Sequence, residues 1–308
     1  MSALEKALAD YLALRRSLGY ELRRPSLHMA EFVAYLGERG VETMTIEHAV
    51  RWAKRPSGAD PNYWHYRLYS IRGFARYVHA RDPAHEVPPD GLLPRRSSRA
   101  TPYLYSDREI AALIAAAGRL PHPLRALTYQ TMIALLAATG MRGGEAIGLD
   151  LDDVDWSHGL LVVRDGKFGK SREVALHQST LAALGDYLER RRRLCPRPKA
   201  PALFLSGRGT RVCHCNLSGT FHQLTRAVGL GPRSASCRPR LHDVRHTFAV
   251  RTLLDWYREG VDVEARMPLL STYLGHAKPA ATYWYLSAAP ELLALAGQRL
   301  EQHLENHS

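Results

Sequence analysis

Apolar residues recur at steps of three and four along the first 95 residues, the spacing that places them on one face of an α-helix. Leu4, Leu12 and Leu18 begin this pattern, and Phe32 and Leu36 continue it. Breaks in the pattern fall at Gly19, Gly40, Ser57-Gly58 and Pro61. The first part of the chain is therefore predicted to be all-helical.

Residues 88–102 are the best candidate for a domain boundary. This stretch is rich in Pro, Gly and Ser and has no helical period, which is typical of a linker. We predict one domain over residues 1–92, a linker over 93–102 and a second domain over 103–308.

The second domain is predicted to be mainly helical with one small sheet. Ser106-Asp107-Arg108-Glu109 matches a capping box at a helix start, and an apolar helix over 125–139 stops at Gly140. Two short apolar runs, 160–164 and 172–176, flank a glycine-containing loop and predict a β-hairpin. Further helices are predicted near 179–194, 216–228, 242–256, 263–273, 278–286 and 290–305.

The net charge of the chain indicates which class of partner it could bind. The formal net charge is +12, with 16 Lys and Arg against 11 Asp and Glu in residues 1–100, and 26 against 19 in residues 101–308. Two positive halves fit a protein that touches a long polyanion along its whole length, although charge alone does not separate this from a basic soluble protein. The sequence contains no run of about 18 apolar residues, so no membrane span is predicted. The first residues lack the charged-then-apolar pattern of a signal peptide. We expect a cytoplasmic, nucleoid-associated protein.

Groups suited to phosphodiester chemistry lie in the second domain. His242-Asp243-Val244-Arg245-His246, His276 and Tyr285 offer cations, proton carriers and a phenol, and Arg142 and Lys167 stand upstream. A phosphodiester can be cleaved without a metal when cations hold its non-bridging oxygens, one group carries the proton and another attacks phosphorus. Arginine suits the first task because its planar fork stays charged at any working pH.

In this order, the motifs resemble the active site of the tyrosine recombinases, the phage integrase family, with Arg, Lys, His-x-x-Arg, His or Trp, and then Tyr. The resemblance implies a mainly α, two-domain, C-shaped clamp. Its parts would be an all-helical, SAM-like core-binding domain and a mixed α/β catalytic domain with a small β-sheet. The matching segments are Thr139-Gly140-Met141-Arg142-Gly143-Gly144-Glu145, Gly166-Lys167-Phe168-Gly169-Lys170-Ser171-Arg172, His242-Asp243-Val244-Arg245, Leu274-Gly275-His276 and Tyr285.

The resemblance also assigns roles. Arg142, Arg245 and His276 would hold the scissile phosphate, and His242 would position it and take the phenolic proton. Tyr285 would be the nucleophile and Lys167 the general acid. Supporting positions are Glu145 and Asp243.

Two of these assignments have competitors. The family hairpin pattern, roughly Gly-Lys-Gly-x-Lys-x-Arg, favours Lys167, but Phe168 stands where glycine is usual and Lys170 remains an alternative. For the nucleophile, the nine-residue step from His276 selects Tyr285 over Tyr283, which would face away on a helix.

Several basic residues are candidate DNA contacts. Residues 63–76 interleave arginines with aromatic residues on a predicted helix, a pattern that fits either DNA contact or a packed core with solvated arginines. The linker arginines could lie along a phosphate backbone. The candidates are Arg67, Arg72, Arg76, Arg95, Arg96, Arg99, Lys170 and Arg172.

No metal or cofactor is expected. Cys213-His214-Cys215 is a single Cys-x-Cys without a second pair, so ordinary thiols are favoured over zinc. No cluster of Asp and Glu is spaced for magnesium, which argues against a metal-dependent nuclease. Four cysteines in a cytosolic chain do not predict disulfides.

The resemblance implies a site-specific DNA recombinase that cuts and rejoins strands through a 3′-phosphotyrosine, for integration, excision or transposition of a mobile element. The stretch from residue 256 to His276 resembles recombinases of transposon-like elements. The implied partners are double-stranded DNA with inverted half-sites, three further copies in a homotetramer, and co-acting recombinases or accessory proteins. Alternatives are a catalytically silent DNA-binding regulator on the same fold, and a type IB topoisomerase-like nicking-closing enzyme.

Overall fold

The computed structural model describes residues 2–94, 101–164, 171–276 and 278–287, together with 292, 294 and 297. The chain divides into two compact units, Met1–Arg99 and Ala100–Ser308. The division falls within the predicted linker, 93–102. Arg95, Arg96 and Arg99, the linker candidates for DNA contact, lie outside the described residues.

The first unit contains four helices and, among its described residues, no strand. They are α1 (Ala3–Ser17), α2 (Arg23–Gly37), α3 (Ile46–Ala53) and α4 (Pro61–His79). Ser2 and Glu5 form a capping box at α1, and the Asp60 side chain caps α4. Gly19, Gly40 and Gly58 have positive φ after α1, α2 and α3, as the predicted breaks require. The prediction of an all-helical first part is confirmed.

The core of this unit is aromatic. Phe32, Trp52 and Phe74 are each 1% exposed or less, and Trp52 packs on Phe32 with ring centroids 5.1 Å apart. These residues belong to three different helices, α2, α3 and α4. The apolar face read from the sequence therefore forms one core shared by these helices.

Arg67 and Arg72 of α4, two of the predicted DNA contacts, have hydrogen-bond partners within the first unit. Both residues are 6% exposed. Arg67 donates to Glu31 Oε2 at 2.9 Å and lies 3.9 Å over the Trp52 ring. Arg72 donates to the Pro88 carbonyl at 2.9 Å and pairs with Asp90. These side chains pack within the fold, whereas Arg76 on the same helix is exposed.

The second unit has eight helices, three strands and two 3₁₀ turns among its described residues, as predicted in kind. The helices are α5 (Asp107–Gly118), α6 (Pro123–Thr139), α7 (Gly143–Gly148), α8 (Gln178–Leu194), α9 (His214–Ala227), α10 (Leu241–Arg258), α11 (Val263–Leu274) and α12 (Ala280–Tyr283). The 3₁₀ turns are Leu151–Asp153 and Trp284–Ser287.

A three-stranded antiparallel sheet lies between α7 and α8. Its strands are β1 (Val154–Asp155), β2 (Leu160–Val163) and β3 (Arg172–Ala175), in that order. In the β2–β3 pair Val163 stands opposite Arg172. The predicted hairpin is therefore confirmed, while β1 was not predicted. The loop residues Lys167 and Lys170 lie outside the described residues.

Two apolar clusters position the candidate site. The larger one joins α5, α6, α8 and the sheet, and the smaller one joins α10 and α11 to Tyr285 and Leu292. Of the predicted helix 290–305, the structure describes Leu292, Ala294 and Gly297 as helical, and Leu292 is buried in this cluster. The rest of that prediction lies outside the described residues.

Among the described residues, no helix is both long and apolar enough to cross a membrane.

Candidate active site

Arg245 lies at the centre of the candidate site, on the second turn of α10, and is 2% exposed. Its Nη1 donates to the Gly140 carbonyl at 2.9 Å and its Nη2 to the Leu274 carbonyl at 2.6 Å. No other described residue accepts a hydrogen bond from its buried Nε. Burial, and then the like charge of Arg142, lowers the pKa of Arg245 to about 10.

The ends of α6 and α11 supply the carbonyls for this arrangement. Gly140 ends α6 with φ of 60°, and a Cβ there would stand 2.4 Å from the Phe248 ring. Gly275 ends α11 with φ of 66°, and a Cβ there would stand 2.9 Å from Arg172 Nη1. Each left-handed turn ends its helix and brings the adjoining backbone to an arginine. Both glycines are required by conformation and by space.

Arg142 follows Gly140 and is oriented from two sides. Its Nη1 donates to Glu145 Oε1 at 2.7 Å and its Nη2 to the Gly275 carbonyl at 2.9 Å. Glu145 also accepts from the Arg142 backbone N–H at 2.7 Å, at the start of α7. A carboxylate three residues away and a carbonyl 133 residues away therefore fix one guanidinium.

Glu145 is the main carboxylate partner in this region. Both its oxygens accept from Arg172, at 2.9 and 2.8 Å, in addition to Arg142. Burial alone would raise its pKa, but the hydrogen bonds from Arg172 and Arg142 prevail and hold the pKa at about 2. Glu145, which the sequence analysis placed among the supporting positions, thus stays ionised beside Arg142.

Arg172, another of the predicted DNA contacts, has hydrogen-bond partners within the second unit. Besides its fork to Glu145, Arg172 donates from Nε to the Tyr273 carbonyl at 2.9 Å, and its side chain is 11% exposed. Its three nitrogens therefore tie β3 to α7 and to the end of α11.

His242 lies one turn before Arg245 on α10, at a cleft of about 690 Å³ that Arg142, Glu145 and Arg164 also line. The imidazole is partly open to solvent, yet the surrounding cleft desolvates it. This desolvation, and then Arg245 and Arg142, lowers the pKa of His242 to about 4. His242 is therefore neutral near pH 7 and able to accept a proton.

His276 follows Gly275 and is half-buried. Its Nδ1 lies 2.6 Å from the Thr282 hydroxyl oxygen. Burial, followed by the charges of Arg245 and Arg142, lowers the pKa of His276 to about 4. Nothing in the residue spacing had singled out Thr282.

The two candidate nucleophiles differ sharply in placement. Tyr285 is 2% exposed and its ring lies 6.0 Å from the His276 ring and 5.5 Å from the His246 ring, whereas Tyr283 is 45% exposed. The Tyr285 phenol is close enough to Arg245 to influence its pKa. Of the two phenols, the structure brings Tyr285 to the arginines and histidines.

His246 and Trp284 complete the surroundings of Tyr285. The His246 ring lies 4.7 Å from His242 and 5.2 Å from Trp284, between the proton-accepting candidate and the candidate nucleophile. The two rings pack against each other within the candidate site.

Asp243 lies beneath the site and is fully buried. Burial raises its pKa, while Arg240 donates to both of its oxygens, at 3.0 and 3.1 Å. The pair fixes the first turn of α10, which carries His242. Arg240 was missed because its role depends on this local pairing rather than on a motif.

The hairpin that carries Lys167 adjoins the same cleft. Arg164, the last described residue before the loop, lines it and donates to Asp153 at 2.6 Å. Lys167 and Lys170 themselves lie outside the described residues.

The cysteine motif Cys213-His214-Cys215 lies within the described residues. Cys213 and Cys215 have sulfurs 2.8 Å apart at the start of α9. In the part of the chain that the structure describes, no group of three or more His, Cys, Asp or Glu side chains is arranged to hold a metal ion.

The amino-acid sequence is similar to those of known proteins. Residues 104–291 match the phage integrase family. The chain is 45% identical to "Putative integrase/recombinase y4rB" of Sinorhizobium fredii over the whole of both chains. It is 32% identical to the tyrosine recombinase XerD of Mycobacterium tuberculosis, over 86% of this chain and 84% of that protein.

A solved structure shares the fold at lower identity. The Tn1549 transposon integrase, in complex with a circular intermediate DNA, superposes with a TM-score of 0.64 and 15% identity. The match covers 97% of this chain and 100% of that one. At this identity, the likeness bears on the fold alone.

Proposed function

The chain belongs to the phage integrase family and is a recombinase of the tyrosine type, and from that premise we propose that Tyr285 forms a 3′-phosphotyrosine with DNA. The observation that carries the proposal is the buried charge of Arg245. Its Nη1 and Nη2 donate to two neutral carbonyls, and it is surrounded by Arg142, His242, His276 and Tyr285. A buried cation without a directly bound carboxylate is a site prepared for an anion.

In the proposed first step, the Tyr285 oxygen attacks a phosphate of the DNA backbone. The bond between phosphorus and the 5′ oxygen breaks, and the phosphate, still attached to the 3′ oxygen, becomes a 3′-phosphotyrosine. Arg142, Arg245 and His276 donate to the non-bridging oxygens, where negative charge builds up. This stabilisation replaces the metal ion that other phosphoryl-transfer enzymes use.

Two groups move the protons. His242 accepts the phenolic proton, because it is neutral near pH 7 and the nearby phosphate raises its low pKa. Lys167, in the loop that begins beside the cleft, donates a proton to the departing 5′ oxygen. A 5′-hydroxyl of a partner strand then reverses the step, so the energy of the phosphodiester is kept and no ATP is consumed.

The burial of Tyr285 sets a condition on this chemistry. At 2% exposure the phenol does not meet a phosphate from bulk solvent. We propose that DNA binding moves the 3₁₀ turn Trp284–Ser287 so that the phenol reaches the phosphate held by the arginines. Shielding before that point keeps the nucleophile from acting on other substrates.

The proposed biological role is integration, excision or transposition of a mobile element. Exchange between two duplexes requires each to be cut at two inverted half-sites, which implies a homotetramer on DNA. Accessory proteins or co-acting recombinases would be further partners of that assembly.

The experiment is a suicide substrate, a half-site duplex with a nick beside the scissile phosphate, followed on a denaturing gel. Wild-type protein should form a covalent adduct in the presence of EDTA, and Tyr285→Phe should bind the duplex without forming it. Tyr283→Phe is the matched control and should still react.

The possible results separate the candidate functions. Adduct formation by Tyr285→Phe but not by Tyr283→Phe would overturn the choice of nucleophile. DNA binding without any adduct from wild-type protein would favour a silent regulator. Adduct formation with relaxation of supercoils but no strand exchange would favour a topoisomerase-like enzyme.

A further inference from the structure

Thr282 is a buried side chain with a close contact to the candidate site. It lies on α12 and is 1% exposed. Its hydroxyl oxygen is 2.6 Å from Nδ1 of His276, a short distance for such a bond. Neither the residue spacing nor the reaction as derived above uses this contact.

The direction of the hydrogen bond follows from what surrounds the hydroxyl. If Nδ1 carried the proton and donated it, the buried Thr282 hydroxyl would need another acceptor for its own proton. No other hydrogen-bond partner for this hydroxyl occurs among the described residues. A buried donor without an acceptor destabilises the fold, because it has lost its hydrogen bond to water. The satisfied arrangement has Thr282 donating to Nδ1.

This direction determines what His276 offers to a ligand. Because burial and the neighbouring arginines lower the pKa of His276 to about 4, the ring is neutral near pH 7 and carries a single N–H. With Nδ1 acting as acceptor, that N–H is on Nε2. Nε2 makes no hydrogen bond to any residue within the described ranges, and so it is available for a phosphate oxygen.

We propose that Thr282 is a positioning residue that holds His276 in the tautomer with its proton on Nε2, so that the ring donates to the scissile phosphate. This inference rests on the proposed function, because a phosphate is the ligand that the Nε2–H would meet. The wrong tautomer would present a lone pair to an anionic oxygen and repel it.

The same contact ties the candidate nucleophile to His276. Thr282 stands three residues before Tyr285, and α12 runs directly into the 3₁₀ turn that carries the phenol. The movement proposed for the turn Trp284–Ser287 must therefore leave Thr282 in place, since a shift that broke its bond would release the His276 tautomer as well. The position of Thr282 therefore affects both His276, the hydrogen-bond donor to the phosphate, and Tyr285, the candidate nucleophile.

The first test measures single-turnover cleavage of the suicide substrate by four variants. Thr282→Val removes the hydroxyl at nearly constant shape and should slow adduct formation by about 10- to 100-fold, less than the ~10²–10³ lost with a whole donor. Thr282→Ser keeps the hydroxyl and should recover most of the rate. Thr225→Val is the matched control, since Thr225 is also 1% exposed but donates to the His222 carbonyl, away from the site.

The fourth variant, His276→Ala, distinguishes positioning from general damage. If Thr282 acts through His276, Thr282→Val should change the rate less than about twofold once His276 is absent. A loss of the same size in both backgrounds would overturn the inference. If no wild-type adduct forms at all, the proposed function fails first and the spectroscopic test below still decides the tautomer.

The second test reads the tautomer without a reaction. In protein labelled with nitrogen-15 histidine, the signal that disappears in His276→Ala should report an Nε2–H ring in the wild type. Thr282→Val should convert it partly or fully to Nδ1–H, and Thr282→Ser should not. If Thr282→Val does not fold, Thr282→Ala takes its place. An Nδ1–H ring in the wild type would overturn the inference.

Discussion

The two units of the chain both bury arginine side chains, but they neutralise them differently. In the first unit, Arg67 and Arg72 are paired with the carboxylates of Glu31 and Asp90, which reach them from the surface. In the second unit, Arg245 is equally buried, yet its terminal nitrogens donate to the neutral carbonyls of Gly140 and Leu274. All three are buried arginines, but Arg67 and Arg72 pair with carboxylates whereas Arg245 donates to carbonyls.

The difference in partners separates Arg245 from Arg67 and Arg72 only together with its surroundings. Arg191 of α8 is 3% exposed and also donates to a carbonyl, that of Ala202, but no described arginine or histidine of the candidate site lies beside it.

A carboxylate cancels the charge, so the pair only packs and fixes helices. Carbonyls satisfy hydrogen bonds and orient the guanidinium but leave its charge uncancelled. Arg142 is intermediate, because Glu145 accepts from it but is shared with Arg172. The site therefore keeps a net positive charge, which the proposed binding of a phosphate requires.

The largest expected effect comes from replacing Arg245, the buried arginine whose partners are carbonyls. Arg245→Met should lower the rate of adduct formation by about 10²–10³ or more, because a donor to the transition state is lost. Its free energy of unfolding should stay within about 2 kcal/mol of wild type, since relief of a buried charge offsets two unsatisfied carbonyls. Suicide-substrate kinetics and urea unfolding measure the two quantities.

Arg67→Met should behave in the opposite way. It should lower the free energy of unfolding by about 1–2 kcal/mol, through the lost contact with Trp52 and the exposed-side pair with Glu31. The rate of adduct formation per folded molecule should not change. A large loss of rate in Arg67→Met, with unchanged stability, would show that the comparison of partners does not separate the two kinds of arginine.

The next effect concerns the carboxylates. The folded-state pKa of Glu145 is about 2, below the ordinary 4.5, so its charge stabilises the fold fully above pH 4.5 and the contribution is lost as the pH falls towards 2. At 1.36 kcal/mol per unit this amounts to about 3 kcal/mol for a side chain that is 6% exposed. Glu145→Gln should therefore lower the free energy of unfolding by about 3 kcal/mol at pH 7.

Glu31→Gln is the matched control in the first unit. Its side chain is 54% exposed, so the loss should be below about 1 kcal/mol. Urea unfolding of both variants at pH 7 and pH 3 gives the comparison. The deficit of Glu145→Gln should shrink at pH 3, where wild-type Glu145 begins to approach its pKa. An equal deficit for the two variants at pH 7 would contradict the account of Glu145 as the buried partner of two arginines.

The sequence predicted most of the fold because its signals are local. Gly140 marked the end of α6, the Ser106 capping box marked the start of α5, and two short apolar runs marked the hairpin. Each of these features is decided by residues a few positions apart. The strand β1 was missed because two residues, Val154–Asp155, carry no alternation that could be recognised.

The candidate site was predictable only where a family spacing existed. Arg142, Arg245 and Tyr285 stand in motifs, and the structure brings them together. Thr282 stands in none, and its contact with His276 becomes visible only when α12 folds back beside the end of α11. The burial of Arg67 was equally hidden, since its partner Glu31 is 36 residues away. Pairings of this kind depend on the packed fold rather than on local pattern.

The smallest expected effect tests the comparison on a single helix. Arg72 and Arg76 are one turn apart on α4, and Arg76 is exposed and forms no ion pair with a described residue. Arg76 thus remains a predicted DNA contact, whereas Arg72 is occupied by Pro88 and Asp90. An arginine that neutralises one phosphate releases about one counterion when DNA binds.

Arg76→Ala should therefore reduce the slope of log K against log salt concentration by about 0.9, with a similar loss of affinity on every duplex sequence. Arg72→Gln should lose stability because its pair with Asp90 is broken. Its folded fraction should keep the wild-type slope, because the wild-type side chain releases no counterion. Fluorescence anisotropy of a labelled duplex over a range of salt concentrations measures both slopes. A reduced slope for Arg72→Gln and an unchanged one for Arg76→Ala would mean that α4 presents its other face to DNA. The partner of a buried arginine would then not be a guide to its function in this unit.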